Sequence, residues 1–363
     1  MIPAASMRRL SPLTAPLLAL PLLVLVGCGP EFEPGYRIKN ERVLAIRADP
    51  PEAVPGQGVT FTPLVVGPGG TLEAGGFSAS WWRCPDAESD GLSDETICSQ
   101  PAARVPLADG AVYDDQIPAD FFPLPDPDSG APPSEKLLGA VLGYWRVIGL
   151  TLSAGDRVVD AIKRVVVYAP VPLGLVDERL ADLDVRMGDD GALHPNTNPL
   201  LSGVEIRQDE PDGPAVERLK AGGTYWLRPR YDDRELQAYW SLKVDLEGLD
   251  LEDPSSLREL SDEELLGRFS RVRRCEIPVF SWYVTAGTLR RETTVDERVI
   301  GTVYEEQGED CPPVEGEARR PEVRFTAPEG DDVPGDGLVR AWVVLRDGRG
   351  GTDWRAFELP IDR

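Results

Sequence analysis

Histidine is nearly absent: His194 is the only one in 363 residues. Nucleophilic catalysis of the Ser-His-Asp or Cys-His type needs a base beside the nucleophile. His194 instead opens a proline-flanked run, His194-Pro195-Asn196-Thr197-Asn198-Pro199, with no serine motif next to it. A zinc site would want histidines or close cysteine pairs, and neither is there. Positive charge is scarce as well, with 38 Lys and Arg against 62 Asp and Glu and a net charge of −24. A surface of that sign repels phosphate backbones and anionic head groups, which argues against nucleic acid as a partner and against a polybasic membrane contact. No phosphate-cradling glycine loop or dinucleotide fingerprint occurs, because Gly348, Gly350 and Gly351 lie between two expected strands and lead into no helix. No cofactor is implied. Beyond residue 26 no long apolar run follows, so no retained transmembrane helix is expected there.

The N-terminus carries the most specific signal. Arg8 and Arg9 precede an apolar stretch from Leu13 to Val26, broken by Pro16 and Pro21 and too short for a bilayer, which needs about 20 apolar residues. This reads as a signal peptide over residues 1–27. It ends in Leu25-Val26-Gly27-Cys28, which resembles the lipobox of bacterial lipoproteins. The resemblance implies cleavage ahead of Cys28 and lipidation of its thiol, with palmitate among the acyl chains. At about 0.8 kcal/mol per buried methylene, several chains anchor a protein almost permanently. Gly29 stands where a retention aspartate would sit in inner-membrane lipoproteins, so the analogy favours the outer membrane. Residues 28–36 are then a lipidated tether. Cleavage removes only Arg8 and Arg9 among charged residues, which takes the mature chain to a charge of −26.

With Cys28 lipidated, Cys84, Cys98, Cys275 and Cys311 remain, and an even number in an exported chain suggests disulfides. Three connectivities are possible. Cys84 with Cys98 and Cys275 with Cys311 are favoured, since each pair would close a modest loop inside one expected domain, worth roughly 3 kcal/mol apiece.

Runs of Val, Ile, Trp, Tyr and Phe separated by Gly, Pro and Asp clusters predict a mainly β protein of short antiparallel strands. Val339, Ala341, Val343 and Leu345 recur at period two, as in a half-buried strand. The chain also repeats itself. Ile46-Arg47-Ala48-Asp49-Pro50, with Gly56, Val59, Phe61 and Pro63, is matched by Ile206-Arg207-Gln208-Asp209, with Pro211, Gly222, Tyr225, Leu227 and Pro229. Ser80-Trp81-Trp82 is matched by Ser281-Trp282-Tyr283, and the strand around Trp145 to Leu150 by the one around Trp342 to Leu345.

With a central tryptophan strand in each half and a terminal hairpin on Asp347-Gly348-Arg349-Gly350-Gly351, the halves resemble bacterial immunoglobulin-like domains. The whole resembles uncharacterised surface lipoproteins of Gram-negative bacteria. The expected fold is therefore two tandem immunoglobulin-like β-sandwich domains, 37–170 and 204–363, joined by a proline-rich, semi-rigid linker at 171–203. A short helical insertion is expected in the second, begun at Asp253-Pro254 or at Ser261 with Glu264, its apolar side built on Leu257, Leu260, Leu265 and Phe269. Pro118 to Pro133 reads as a long loop.

Acidic clusters at Asp126-Pro127-Asp128, Asp331-Asp332 and Asp347 with Asp353 supply oxygen ligands, yet Leu137 falls where an EF-hand beginning at Asp126 needs a glutamate. Solvated turns are the simpler reading. The leading expectation is a lipid-anchored, non-enzymatic protein of the cell envelope that presents its sandwiches to an envelope protein or glycan. Phe121 and Phe122 on the long loop are the candidate contact residues. Two alternatives are a periplasmic-facing scaffold of an envelope complex and a carbohydrate-active enzyme using paired carboxylates.

Overall fold

The computed structural model describes residues 34–85, 100–121, 141, 143–155, 157–176, 178–188, 190–231, 238–245, 261–295 and 321–362. Gly35–Arg363 forms one compact unit. Among the described residues no helix is long and apolar enough to cross a membrane.

Among the described residues the first half has nine strands: β1 (Arg42–Asp49), β2 (Glu52–Ala53), β3 (Gly58–Gly67), β4 (Gly70–Thr71), β5 (Ser78–Arg83), β6 (Val105–Asp109), β7 (Tyr113–Gln116), β8 (Tyr144–Ala154) and β9 (Arg157–Val167). A helical segment follows, with α1 at Leu173–Val176 and a 3-10 stretch at Glu178–Leu183. The second half holds β10 (Leu201–Gln208), β11 (Leu219–Lys220), β12 (Thr224–Tyr231), β13 (Ala238–Val244), α2 (Asp262–Gly267), β14 (Phe269–Cys275), β15 (Val279–Val284), β16 (Thr288–Leu289), β17 (Thr293–Val295), β18 (Val323–Thr326), β19 (Leu338–Arg346) and β20 (Thr352–Asp362).

Among the described residues each half builds a two-sheet sandwich in the same order, and the second half adds the two-stranded sheet β13-β14. In the first half, β1, β3 and β7 form one sheet with β4 at its edge, and β2-β9-β8-β5-β6 forms the other. In the second, β10-β12-β18-β16 faces β11-β20-β19-β15-β17. In both, the short second strand pairs in parallel with the last, Glu52 opposite Val166 and Leu219 opposite Ile361. Among the described residues all other strand pairs are antiparallel. This is the strand order of an immunoglobulin-like sandwich, so the fold is mainly β with two such sandwiches, as expected.

The inward side chains explain why the sheets close. Trp81 packs 6.2 Å from Phe61 and 5.8 Å from Tyr113 in the first core. In the second, Trp282 is buried and its indole donates to Thr294 Oγ1 at 2.8 Å, which satisfies the one polar atom such a ring brings inside. The terminal hairpin turns on Gly348 and Gly350, both at positive φ, while Asp347 Oδ1 accepts the backbone N–H groups of Arg349 and Gly351.

Two expectations change in detail. The helical insertion is present as the β13–α2–β14 excursion, and Ser261 with Glu264 makes a complete capping box. Phe269, however, begins β14 instead of ending a helix, and Asp253, Pro254, Leu257 and Leu260 lie outside the described residues. Residues 173–183 are also more than a proline-stiffened connector. Leu173, Leu180 and Leu183 are buried with Val141 and Ala169, and the insertion packs on them through Leu242, Leu266 and Phe269. Asp184 ties the segment together, accepting from Leu173 N and from the Arg186 guanidinium. Those bonds hold its carboxyl below the usual range, overcoming the burial that would raise it.

Candidate functional site

Residues marked out by sequence fall in scattered places. Cys28, Cys98, Cys311 and Phe122 lie outside the described residues. Cys84 is buried just after β5 beside Trp82 and Val147, and Cys275 is the last residue of β14. Phe121 packs against the first core, with the Arg146 guanidinium 5.5 Å from its ring centre. Arg146 is itself buried and bridged to Asp115, so Phe121, half-buried, lies over an internal ion pair. His194 lies 3.0 Å from Asp190, both more than half exposed, and among the described residues no hydroxyl or thiol is bonded to it. Among the described residues no group of His, Cys, Asp or Glu is placed to hold a metal.

The junction between the halves is built from polar groups that sequence reading did not assemble. Glu52, 4% exposed, accepts the Asn196 backbone N–H at 2.8 Å and the Arg349 guanidinium at 3.2 Å. Arg349 also binds Glu276 at 3.0 Å and lies 4.5 Å from the Tyr239 ring centre. The Asn196 amide donates to Asp347 at 3.0 Å, and Asn198 bridges Ala48 O to the Thr352 N–H. Burial raises the Glu52 carboxyl above its usual pKa, against the pull of Arg349 and Asn196. Beside this network a crevice of about 460 Å3 runs between β1, β9 and the β19–β20 turn. Lys163 lines it, donating to Gly350 O and to Thr352 Oγ1, and burial brings its amine down to about 8. Asp347 and Asp353, once candidate cation ligands, are committed here: Asp353 accepts Leu201 N at 2.8 Å and Arg47 at 3.4 Å.

A dry contact backs the polar one. The outer face of β1 and β3 presents Leu44, Ala45, Leu64 and Val66 to Trp342 and Val344 on the outer face of β19. The Trp342 indole donates to Thr71 Oγ1 at 3.0 Å, and Arg346 reaches Leu44 O at 3.1 Å. Residues 36–38 join in, because Val284 N donates to Tyr36 O and Ile38 N to Val284 O. Tyr36, expected to end a free tether, is therefore docked on the second half. These contacts fix one sandwich on the other.

The corresponding outer face of the second half is chemically opposite. Along β12 the outward residues are Trp226, Arg228 and Arg230, and in register Trp226 stands between Arg207 of β10 and Arg324 of β18. Arg290, just past β16, continues the row, its N–H donating to Arg324 O at 2.9 Å. Arg207 is bound to Glu205, Arg228 to Glu322 and Asp212, and Arg230 to Glu205. Arg290, Arg291 and Arg324 are exposed and hold no ion pair or side-chain hydrogen bond among the described residues. With Trp226, Pro211, Thr293 and Glu322, whose carboxylate is held by Arg228, they line a groove of about 480 Å3. The net charge of −24 concealed this face, since charge summed over a chain says nothing of its distribution. The local signal was the alternation in Trp226-Leu227-Arg228-Pro229-Arg230, which puts the aromatic and both cations on one side of a strand.

No family model matches the sequence, and no curated relative matches it. Solved structures resemble it weakly. A chimeric titin Z1Z2-Z1Z2 tandem is 9% identical over 89% of this chain and all of its own, with a TM-score of 0.21. The N-terminal Ig1-2 module of the Drosophila receptor protein tyrosine phosphatase DLAR gives the same identity, coverage and score. The Bacteroides ovatus protein SGBP-B, solved with a mixed-linkage heptasaccharide, is 12% identical over 90% of this chain and 48% of its own, at a TM-score of 0.16. The fold assignment rests on strand order and needs none of these.

Proposed function

We propose that the protein is a non-enzymatic binding protein of the bacterial cell envelope, lipidated at Cys28 and held on the outer membrane, whose domains 37–170 and 204–363 present one fixed surface to a protein or glycan. One observation carries the binding reading: three arginines that hold no ion pair or side-chain hydrogen bond among the described residues gather beside an aromatic ring on a chain whose net charge is −24. Surface cations in so acidic a protein find carboxylates easily, as Arg207, Arg228 and Arg230 do. Cations left over in a groove are available to a ligand. Two disulfides, Cys84–Cys98 and Cys275–Cys311, belong to the same proposal and suit an exported chain.

The anchor has a direct test. Cys28→Ala is expected to move the protein out of the membrane fraction and to abolish incorporation of labelled palmitate. A variant that still fractionates with membranes and carries the label would overturn the lipoprotein reading.

A further inference from the structure

We infer that the groove over Trp226 is a binding subsite for a short acidic saccharide, an oligouronide whose ring carboxylates are held by Arg324, Arg290 and Arg291. The inference rests on the binding reading above and names its ligand class.

The geometry is a row across one sheet face. Trp226 and Arg324 are direct partners on neighbouring strands, and Arg290 adjoins Arg324 on the far side. Neighbouring strands lie about 4.8 Å apart, so an aromatic platform is followed by two guanidinium groups within a span of roughly 10 Å. A pyranose ring lying on the indole can direct a carboxylate at Arg324, and the next sugar of the chain then brings its own to Arg290 and Arg291. A planar guanidinium holds such a carboxylate by two parallel hydrogen bonds, a geometry that lysine cannot supply. Thr293, also in the lining, offers a hydroxyl of the kind that pairs with sugar hydroxyls.

Other ligand classes fit less well. A peptide added as an extra strand needs free backbone groups, whereas this groove lies on the face of the sheet and the Arg290 N–H is already given to Arg324 O. A long polyanion or an anionic membrane would meet the rest of a chain charged −24. A short ligand stays within the basic patch, because charges farther off than the screening length of about 8 Å are largely silenced at physiological salt.

The test is calorimetric titration of trigalacturonic acid into the full chain carrying Cys28→Ala, so that lipid plays no part. Maltotriose serves as the neutral control, and phosphatidylglycerol vesicles are titrated separately. Trigalacturonic acid is expected to bind and maltotriose not to. Arg324→Gln and Trp226→Ala should each weaken the acid at least tenfold. Thermal unfolding followed alongside should leave Arg324→Gln with the parent, since that side chain is exposed and holds no ion pair or side-chain hydrogen bond among the described residues. Unchanged affinity in an Arg290→Gln, Arg324→Gln double variant would place the sugar elsewhere, overturning the subsite while leaving a binding protein. Vesicle binding that the double variant abolishes, with no uronide binding, would assign the arginines to lipid phosphate and overturn the saccharide. Binding of neither probe would overturn the subsite and remove the observation behind the binding reading as well.

Discussion

In the first sandwich Gly149 faces outward beneath Trp82, so close that a Cβ there would fall 2.2 Å from the ring. In the second, the equivalent rung of the ladder pairs Tyr283 with Trp342, where the first pairs Trp82 with Gly149. The large ring has changed strands. In the first half it lies flat on its own sheet, covered by Arg104 at 4.1 Å and donating to Thr151. In the second it fills the contact between the halves. The other sheet shows a second exchange, with Leu44, Leu64 and Val66 turned outward in one half and Trp226, Arg228 and Arg324 in the other. Strand order fixes the sandwich, while the outward side chains, every second residue, decide which faces join and which stay open.

The largest effect expected from breaking this contrast is at Trp342. Trp342→Ala removes a ring that is 1% exposed and should cost about 3–5 kcal/mol in chemical denaturation, with Trp145→Ala, at 40% exposure, as its comparison. The outward Trp145 should change stability by no more than about 0.5 kcal/mol. Equal losses from the two would mean that the Trp342 contact does not hold the halves together. Next in size is Gly149→Ala, which drives a methyl group into Trp82 and should cost about 1–3 kcal/mol by overpacking. Adding Trp82→Ala to it should restore part of the loss. An additive pair would show that the ring does not lie on the glycine in solution.

Sequence reading reached the strands and their repetition because both depend on local alternation and turn residues. Ile46 and Ile206 do lie on equivalent strands, although the register sets Ile206 opposite Leu227 where Ala48 stands opposite Phe61, and Trp81 and Trp282 do occupy equivalent core positions. It matched the strand of Trp145 with that of Trp342 correctly, yet the two tryptophans are not equivalent, since Gly149 takes the place of Trp342. Periodicity tells which face a residue is on and leaves open what meets that face. The docking of the halves and the Glu52–Arg349–Glu276 cluster join residues far apart in the chain, and no local pattern announces them, while the arginine groove leaves only the alternation from Trp226 to Arg230 as a local trace. Phe121 shows the converse. As a loop phenylalanine it is a candidate contact residue that can equally tuck into the first core, and it packs half-buried on that core beside Arg146.

The smallest effect sharpens the comparison at Lys163, which takes the position on β9 that Phe357 takes on β20. Phe357 packs against the second core, whereas Lys163 sends its amine across to the β19–β20 turn. Burial there brings the amine from 10.5 down to about 8, so the unfolded chain binds its proton more tightly than the folded one. Stability must then rise with pH between about 8 and 10.5 as the folded state is relieved of a buried charge. Glu52 contributes with the opposite slope, since its raised carboxyl makes stability fall as pH climbs from 4.5 through the folded value. The two windows do not overlap in cause, and Lys163→Met isolates one of them. Denaturation midpoints of that variant should lose the alkaline rise while keeping the acid-side slope. A rise that persists without the lysine would mean that its amine keeps an ordinary affinity for its proton, and that the crevice beside Gly350 is wetter than its bonds to Lys163 imply.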